Sequence, residues 1–367
     1  MVSAAEAGGF NTLLVQVRGR GEAFYQSDIE PRSTDLDRQP AAFDPLAETI
    51  ALARRAGLAV HAWVNVNLVA SGTSLPRSRD HVAAKHPDWL MVPKALAGTL
   101  SSMNAWSPAY LGTLARWTRG ASQVEGLYVS PVTAVSRAYS AGVVAELATR
   151  YPLDGIHFDY IRYPSPDFDY SRAALAEFRA GLLSAVTRVE RARLDRAAVR
   201  DPAAWPSAYP KDWAAFHRDR MTALVMGLQS AARAVRPGLV VSAAVVGVPA
   251  EAREARFQDW VTWTRQGLID VACPMLYVMT ADQFGATAAD IRAALGPAPF
   301  WAGIGAYRLS IDATIERVRA ARRANAAGVL LFSYGQLAEG STTPAPAALA
   351  ALRPVLLENS NGSTAGR

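Results

Sequence analysis

The sequence predicts an α/β fold, a TIM-type (β/α)8 barrel whose first strand is not part of this chain, and three observations predict it. Short runs rich in Val, Leu and Ile alternate with longer Ala/Arg/Leu stretches of helical period, as in repeated βα units around a parallel sheet. Several runs start just after a glycine able to close the preceding helix in a left-handed cap, at Gly57, Gly238, Gly267 and Gly328. The chain has 367 residues, 50% of them apolar, and barrels reach this length as one domain.

Seven strands are expected, in the order Thr12 to Arg18, Ala59 to Asn65, Gly155 to Ile161, Leu239 to Val246, Ile269 to Tyr277, Phe300 to Gly305 and Val329 to Tyr334. A barrel of this kind closes only when an eighth strand covers both edges. The opening stretch Met1 to Gly9 reads as the end of a helix leading into a strand, so a first strand and an export signal are expected upstream of Met1. An authentic seven-stranded or open barrel is the alternative. Two insertions interrupt the minimal unit. Residues 68–150 carry Trp89, Trp106, Trp117, Tyr110 and Tyr128, and as an insertion after a strand this stretch is expected to wall a cleft on the catalytic face. Residues 165–212 are broken by Pro202, Pro206 and Pro210. The barrel is assigned to residues 1–356, and 357–367 to a flexible polar tail.

The formal charge of +6 comes from arginines spread along the chain, densest at Arg191 to Arg200 and Arg317 to Arg323. Both runs sit in Ala-rich helical stretches, which favours solvated helix faces over a nucleic-acid patch. A mild attraction to acidic polymers is compatible with this charge. Cys273, the single cysteine, lies in an apolar strand and is expected in the core, which excludes a disulfide framework and a cysteine-based metal site. No basic stretch leads into an apolar export segment, and no apolar run is long enough to cross a bilayer.

Alternation identifies the chemistry. In Leu13 to Arg18 the apolar set is Leu13, Val15 and Val17, leaving Leu14, Gln16 and Arg18 for the barrel interior. The next strand likewise sets Val60, Ala62 and Val64 against His61, Trp63 and Asn65. The third sets Ile156, Phe158 and Tyr160 against His157, Asp159 and Ile161. Arg18, Asn65 and Asp159 are therefore expected to meet near the C-terminal ends of their strands. Buried polar groups are costly unless paired or functional, so their convergence points to a site. His61 and His157 sit deeper and are read as orienting neighbours within a hydrogen-bonded polar layer.

Other designs are excluded by their missing residues. There is no HExxH, and the five histidines form no close ligand pair, so neither metal nor cofactor is expected. No G-x-S-x-G elbow occurs, and Gly303-Ile304-Gly305 and Gly19-Arg20-Gly21 are too short for a nucleotide fingerprint. Carboxylate chemistry between aromatic walls remains. Glycoside cleavage needs one group to protonate the departing oxygen and a second carboxylate as base or nucleophile. Asp159 suits the first role, because an interior position raises a carboxyl pKa, although Arg18 or Arg162 nearby opposes that rise. Glu22, in the loop after the first strand, is the choice for the second role, with an ordinary surface acid as its alternative. Asp154 precedes its strand and is read as structural. Arg18, Asn65, Arg162, Tyr163 and Tyr277 are assigned to sugar positioning. Trp301 and Tyr334 are assigned to stacking on sugar faces, with core packing as the alternative.

The run Asp154-Gly155-Ile156-His157-Phe158-Asp159-Tyr160-Ile161-Arg162-Tyr163-Pro164 resembles the signature of the bacterial glycosyl-hydrolase-like ten family. Further matches are Phe10-Asn11-Thr12 leading to Gln16-Val17-Arg18, then Ala23 to Ser27, Phe43-Asp44-Pro45-Leu46, His61 to Asn65, His86 to Leu90 and Asp270 to Pro274. They keep the family's order over almost the whole chain. The resemblance implies a TIM barrel acting on glycans outside the cytoplasm, with relatives that cut peptidoglycan strands stripped of their peptides. It implies site positions at Gln16, Arg18, His61, Asn65, His157, Asp159 and Tyr277. This sequence departs from the family at Glu22, where relatives often carry Asp, and at Met275, where many carry Gln. Tyr160 replaces a second Asp, which puts a paired-aspartate mechanism in doubt. A chitinase-like D-G-x-D-x-D-x-E strand is also excluded, since His157 and Ile161 stand at its second Asp and its Glu. The expected partner is a polysaccharide, not a nucleic acid. A glycan-binding barrel without catalysis and a truncated barrel with a structural role are the competing readings.

Overall fold

All strands of the main sheet but the last turn an alternate set of apolar side chains outward and bury most of it, and in the last the set is only partly buried. The computed structural model describes residues 1–336 and 345–358. Its strands are β1 (Thr12–Arg18), β2 (Ala59–Asn65), β3 (Leu68–Ala70), β4 (Leu127–Tyr128), β5 (Gly155–Asp159), β6 (Val240–Val246), β7 (Val271–Met275), β8 (Trp301–Gly305) and β9 (Gly328–Phe332). Val60, Ala62 and Val64 of β2, Ile156 and Phe158 of β5, Val241, Ala243 and Val245 of β6, and Ala302 and Ile304 of β8 are essentially removed from solvent. They share one core with Leu46, Ile50, Leu147, Leu224, Leu228, Ile291 and Val318 of the surrounding helices. Burying each large aliphatic side chain stabilises the fold by about 1.5–3 kcal/mol.

Seven strands form one parallel sheet in the order β1-β2-β5-β6-β7-β8-β9, and they are the seven expected, with ends shifted by one or two residues. Among the described residues neither β1 nor β9 has a strand partner on its outer edge, so an open seam stands where a closing strand belongs. The helices flanking this seam, Val2–Ala7 and Ala345–Leu357, pack on one another through Ala4 and Leu349. Arg353 Nη1 ties them further by donating to the Ala7 carbonyl at 3.0 Å.

Local chemistry explains several of the sequence matches. Asp44 caps helix Pro45–Arg55, accepting from Ala47 N at 2.9 Å, with Pro45 at the first helical position. Asp154 accepts from Val60 N at 2.8 Å and Asp270 from Val241 N at 2.8 Å, so each acid ties its own strand to the neighbour. Asp154 is thus structural, as expected. The glycine caps are half as expected. Gly57 and Gly267 adopt φ +68°, but Gly238 and Gly328 are not left-handed, and Asn325 takes that role before β9. Gly328 is required by close approach instead, since a Cβ there would lie 2.8 Å from Trp301 Cδ1.

The insertions build outworks. In the first, β3 and β4 pair antiparallel over a second apolar cluster with Val69, Leu90, Leu114 and Leu127. Its last helix, Ala134–Arg150, returns to the barrel shell against the long helix Pro210–Val235. In the second, helices Arg172–Leu182, Arg188–Ala198 and Ala204–Ala208 gather around Phe178, Trp205 and Trp213. The arginine run there lies on Arg188–Ala198, where Arg193 pairs with Glu190 at 2.7 Å and Arg191 with Asp195 at 3.8 Å. No described helix is long and apolar enough to cross a membrane. The predicted polar tail lies, from residue 359 on, outside the described residues.

Candidate active site

Parallel register carries side-chain direction from strand to strand. Gln16 is level with Trp63, Trp63 with His157, and Asn65 with Asp159. His157 is level with Ser242, and Met275 with Gly303. Parallel partners point to the same face, so these residues line the barrel interior. All but Ser242 and Gly303 line a cavity of about 1640 Å³ that holds Gln16, Asn65 and Asp159 near the C-terminal strand ends. Asn65 Nδ2 donates to the Gly19 carbonyl at 2.8 Å, and Gln16 Nε2 reaches Asn65 Oδ1 at 3.5 Å.

Asp159 ends β5 and its carboxyl is nearly buried. Tyr160 N donates to its Oδ1 at 2.6 Å, and Arg162 Nη1 lies 3.9 Å away. The Trp63 indole N–H faces the carboxyl without closing a hydrogen bond. Burial raises the Asp159 pKa above the ordinary aspartate range, partly offset by Arg162 and the Tyr160 N–H. Tyr160 itself is held at φ +54°, a strained conformation for a residue with a Cβ. That turn lets its N–H point back at the carboxyl, and the Arg162 guanidinium stacks 4.4 Å over its ring.

Glu22 lines the same cavity, half-buried, accepting from Ser33 Oγ at 3.2 Å and Thr34 N at 3.3 Å. Its loop is pinned at Gly21, where a Cβ would meet His81 Nε2 at 2.7 Å. Tyr277 lines the wall and stacks on Phe332, with centroids 5.3 Å apart and planes 7° from parallel. Tyr334 borders the cavity just past β9. Trp301 also borders it, but from the first residue of β8, so it forms the floor beside His61 and not the mouth.

Three predicted site residues do not reach the cavity. Arg18 is the first correction: after Gln16 the strand bulges at Val17, and Arg18 comes level with Val64 of the outward set. Its guanidinium is buried against Glu30, with Nε and Nη2 donating at 2.7 and 2.6 Å, and Nη1 donates to the carbonyls of Asn65 and Val66. Tyr163 is the second. It is fully buried between His217 and Phe257, because the chain leaves the strand at Tyr160 and turns Tyr163 into the core. His61 is the third, and lies beneath the cavity beside Gly155 and Trp301. His157 does line the cavity, with Nδ1 3.0 Å from Ser242 Oγ. Burial lowers the pKa of His157 to about 3 and of His61 to about 4, so both are neutral at neutral pH. Sequence reading left Trp63 and Phe332 unassigned, although alternation already turned Trp63 inward. Arg20, Asp35 and Arg77 also line the cavity, from loops without periodicity to mark them.

The family model for glycosyl hydrolase-like 10 matches residues 2–295. This chain belongs to the glycosyl hydrolase-like 10 family. Among curated proteins it is 24% identical over 287 residues to the glycosyl hydrolase DigH of Escherichia coli, which covers 73% of this chain and 55% of that protein. It is 27% identical over 161 residues to the glycosyl hydrolase YngK of Bacillus subtilis, covering 42% of this chain and 26% of that protein. The match thus spans about half the length of DigH and about a quarter of that of YngK. Among solved structures, the glycoside hydrolase domain of PgaB (BpsB) from Bordetella bronchiseptica aligns with TM-score 0.66 and 14% identity, over 98% of this chain and 92% of that one. A beta-galactosidase from Marinomonas ef1 aligns with TM-score 0.63 and 14% identity, over 96% of this chain and 56% of that one. These neighbours are TIM-barrel glycoside hydrolases, and the likeness shows the shared fold.

Proposed function

We propose that this family member hydrolyses glycosidic bonds in a bacterial polysaccharide, with the amino-sugar strands of peptidoglycan as substrate, outside the cytoplasm. The observation that carries the reading is Asp159: a nearly buried carboxyl with a raised pKa, on the wall of a cavity of about 1640 Å³ that Asn65 and Gln16 also line. Protonated, Asp159 gives its proton to the departing oxygen as the C1–O bond breaks. A water oxygen bonds to C1, and its proton passes to Glu22, the carboxylate assigned as base on the same cavity. The alternative role for Glu22 is direct attack on C1 as nucleophile. Arg162, Asn65, Gln16 and Tyr277 position the sugar, and Trp301 and Tyr334 offer aromatic faces on the floor and rim. The family membership and the fold of the neighbours support a glycan as the ligand.

A second reading, a glycan-binding barrel without turnover, is favoured by one observation. Glu22 is half-exposed and already engaged by Ser33 and Thr34, as a structural loop acid is. Release of reducing ends from peptide-free glycan strands decides between them. The wild type should cleave, and Asp159→Asn should bind the strands while losing about 10²–10⁴-fold in rate, the usual worth of a general acid. Binding without cleavage by either protein would leave the second reading standing.

A further inference from the structure

Glu125 stands outside the cavity wall, in the segment leading into β4, and its sequence surroundings do not mark it. It holds the arginine that faces Asp159. Arg162 Nη2 donates to Glu125 Oε1 at 3.0 Å, and Tyr128 Oη of β4 donates to Glu125 Oε2 at 2.6 Å. The carboxylate is therefore clamped on both oxygens. The other terminal nitrogen of Arg162, Nη1, is buried, has no hydrogen-bond partner, and lies 3.9 Å from Asp159 Oδ1. A guanidinium is planar and rigid, so fixing one edge decides where the opposite edge points. A buried donor without a partner is costly unless a ligand satisfies it, and Arg162 lines the cavity.

We propose that Glu125 is a positioning residue of this site, holding one edge of Arg162 so that the opposite edge stays free beside Asp159 to receive a sugar oxygen. The proposal rests on the reading of Asp159 as the acid. Its electrostatic consequence has a definite sign. The titratable groups facing the Asp159 carboxyl are Arg162 and Tyr160 from its own loop, Glu125 from before β4, Cys273 of β7 and Tyr277 beyond it, and His157 precedes it by two residues on its own strand. Burial keeps His157, Cys273 and both phenols neutral at neutral pH. Arg162 and Glu125 are the charged members of this set. Burial pushes the Glu125 pKa up, but Arg162 and Tyr128 outweigh it and hold the group below the ordinary glutamate range, hence ionised. Glu125 therefore opposes loss of the Asp159 proton twice, by its own charge and by neutralising part of the charge on Arg162.

The test is Glu125→Gln, which keeps the shape and removes the charge, with two readouts. In protein labelled at the aspartate side-chain carboxyl carbon, with the Asp159 signal assigned by its loss in Asp159→Asn, the titration midpoint should fall by on the order of half a pH unit or more. In turnover of peptide-free glycan strands, the alkaline limb of kcat/KM should move down by the same amount and KM should rise. Glu125→Asp should restore part of both. Tyr128→Phe, which loosens one side of the clamp and leaves every charge in place, should shift both in the same direction by less, and it serves where Glu125→Gln does not fold. An unmoved Asp159 midpoint in a folded variant overturns the proposal. If the midpoint falls but the wild type does not cleave, the positioning stands and the hydrolase reading fails, so the two failures are distinguishable.

Discussion

Replacing Glu30 by alanine should cost far more stability than its place in a surface loop implies. Its side chain is fully out of solvent and that of Arg18 is 3% exposed. Both carboxylate oxygens accept from Arg18, and Tyr139 Oη donates a further hydrogen bond at 2.9 Å. Alanine would leave the Arg18 charge buried with two of its donors facing nothing. Breaking one side of a buried pair costs about 3–5 kcal/mol, and the orphaned Tyr139 hydroxyl adds about 1 kcal/mol. Removing both charges is a different perturbation, because the desolvation cost disappears with them. Arg18→Met combined with Glu30→Leu should fall within about 2 kcal/mol of the wild type. Chemical denaturation of the wild type, both single variants and the double gives the four free energies and their coupling. Refutation would be a Glu30→Ala loss under about 1 kcal/mol, or a double variant that loses the sum of the singles. The same double variant separates a structural Arg18 from one that touches sugar. A KM change under about tenfold fits the structural role, whereas a much larger rise in a stable protein would return Arg18 to the binding surface.

Gly155→Ala should destabilise the protein by about 1–3 kcal/mol in thermal unfolding, since a Cβ there would lie 2.6 Å from three atoms of the His61 ring; a variant as stable as the wild type would show that His61 moves freely. Asp169 is fully buried, and burial raises its pKa to about 6 despite hydrogen bonds from Val92 N and Ser171 N. A folded pKa above the unfolded one near 4 means that the folded state holds this proton longer. The contribution of Asp169 to stability is thus fully present below about pH 4 and lost as pH rises through about 6. The stability difference between the wild type and Asp169→Asn, measured from pH 4 to 7, should narrow or reverse towards pH 7, and a flat difference would contradict the assignment.

The periodic parts of this protein were legible, and the places where the period breaks were not. All seven strands of the sheet fall where alternation put them, because a strand with helices on one side and a cavity on the other sorts its side chains every second residue. Asn65, Asp159 and Gln16 reach the cavity for that reason. Arg18 does not, because one extra residue at Val17 reverses the side-chain direction beyond it, and no residue type there marks a bulge. Tyr163 fails similarly, three residues beyond the left-handed turn at Tyr160. The β3–β4 pairing joins segments almost 60 residues apart, too short and too distant to read from periodicity.

Local spacing and residue type were enough to establish the class of fold, the order of its strands, the inward direction of Asp159 and the family. Which charges meet was settled only when the chain closed on itself. Folding paired Arg18 with Glu30 and Arg162 with Glu125, and set His157 on Ser242. Such pairings depend on how loops fold back over the strand ends, where the chain has no repeating pattern and a single reversed residue exchanges a side chain between the cavity and the core.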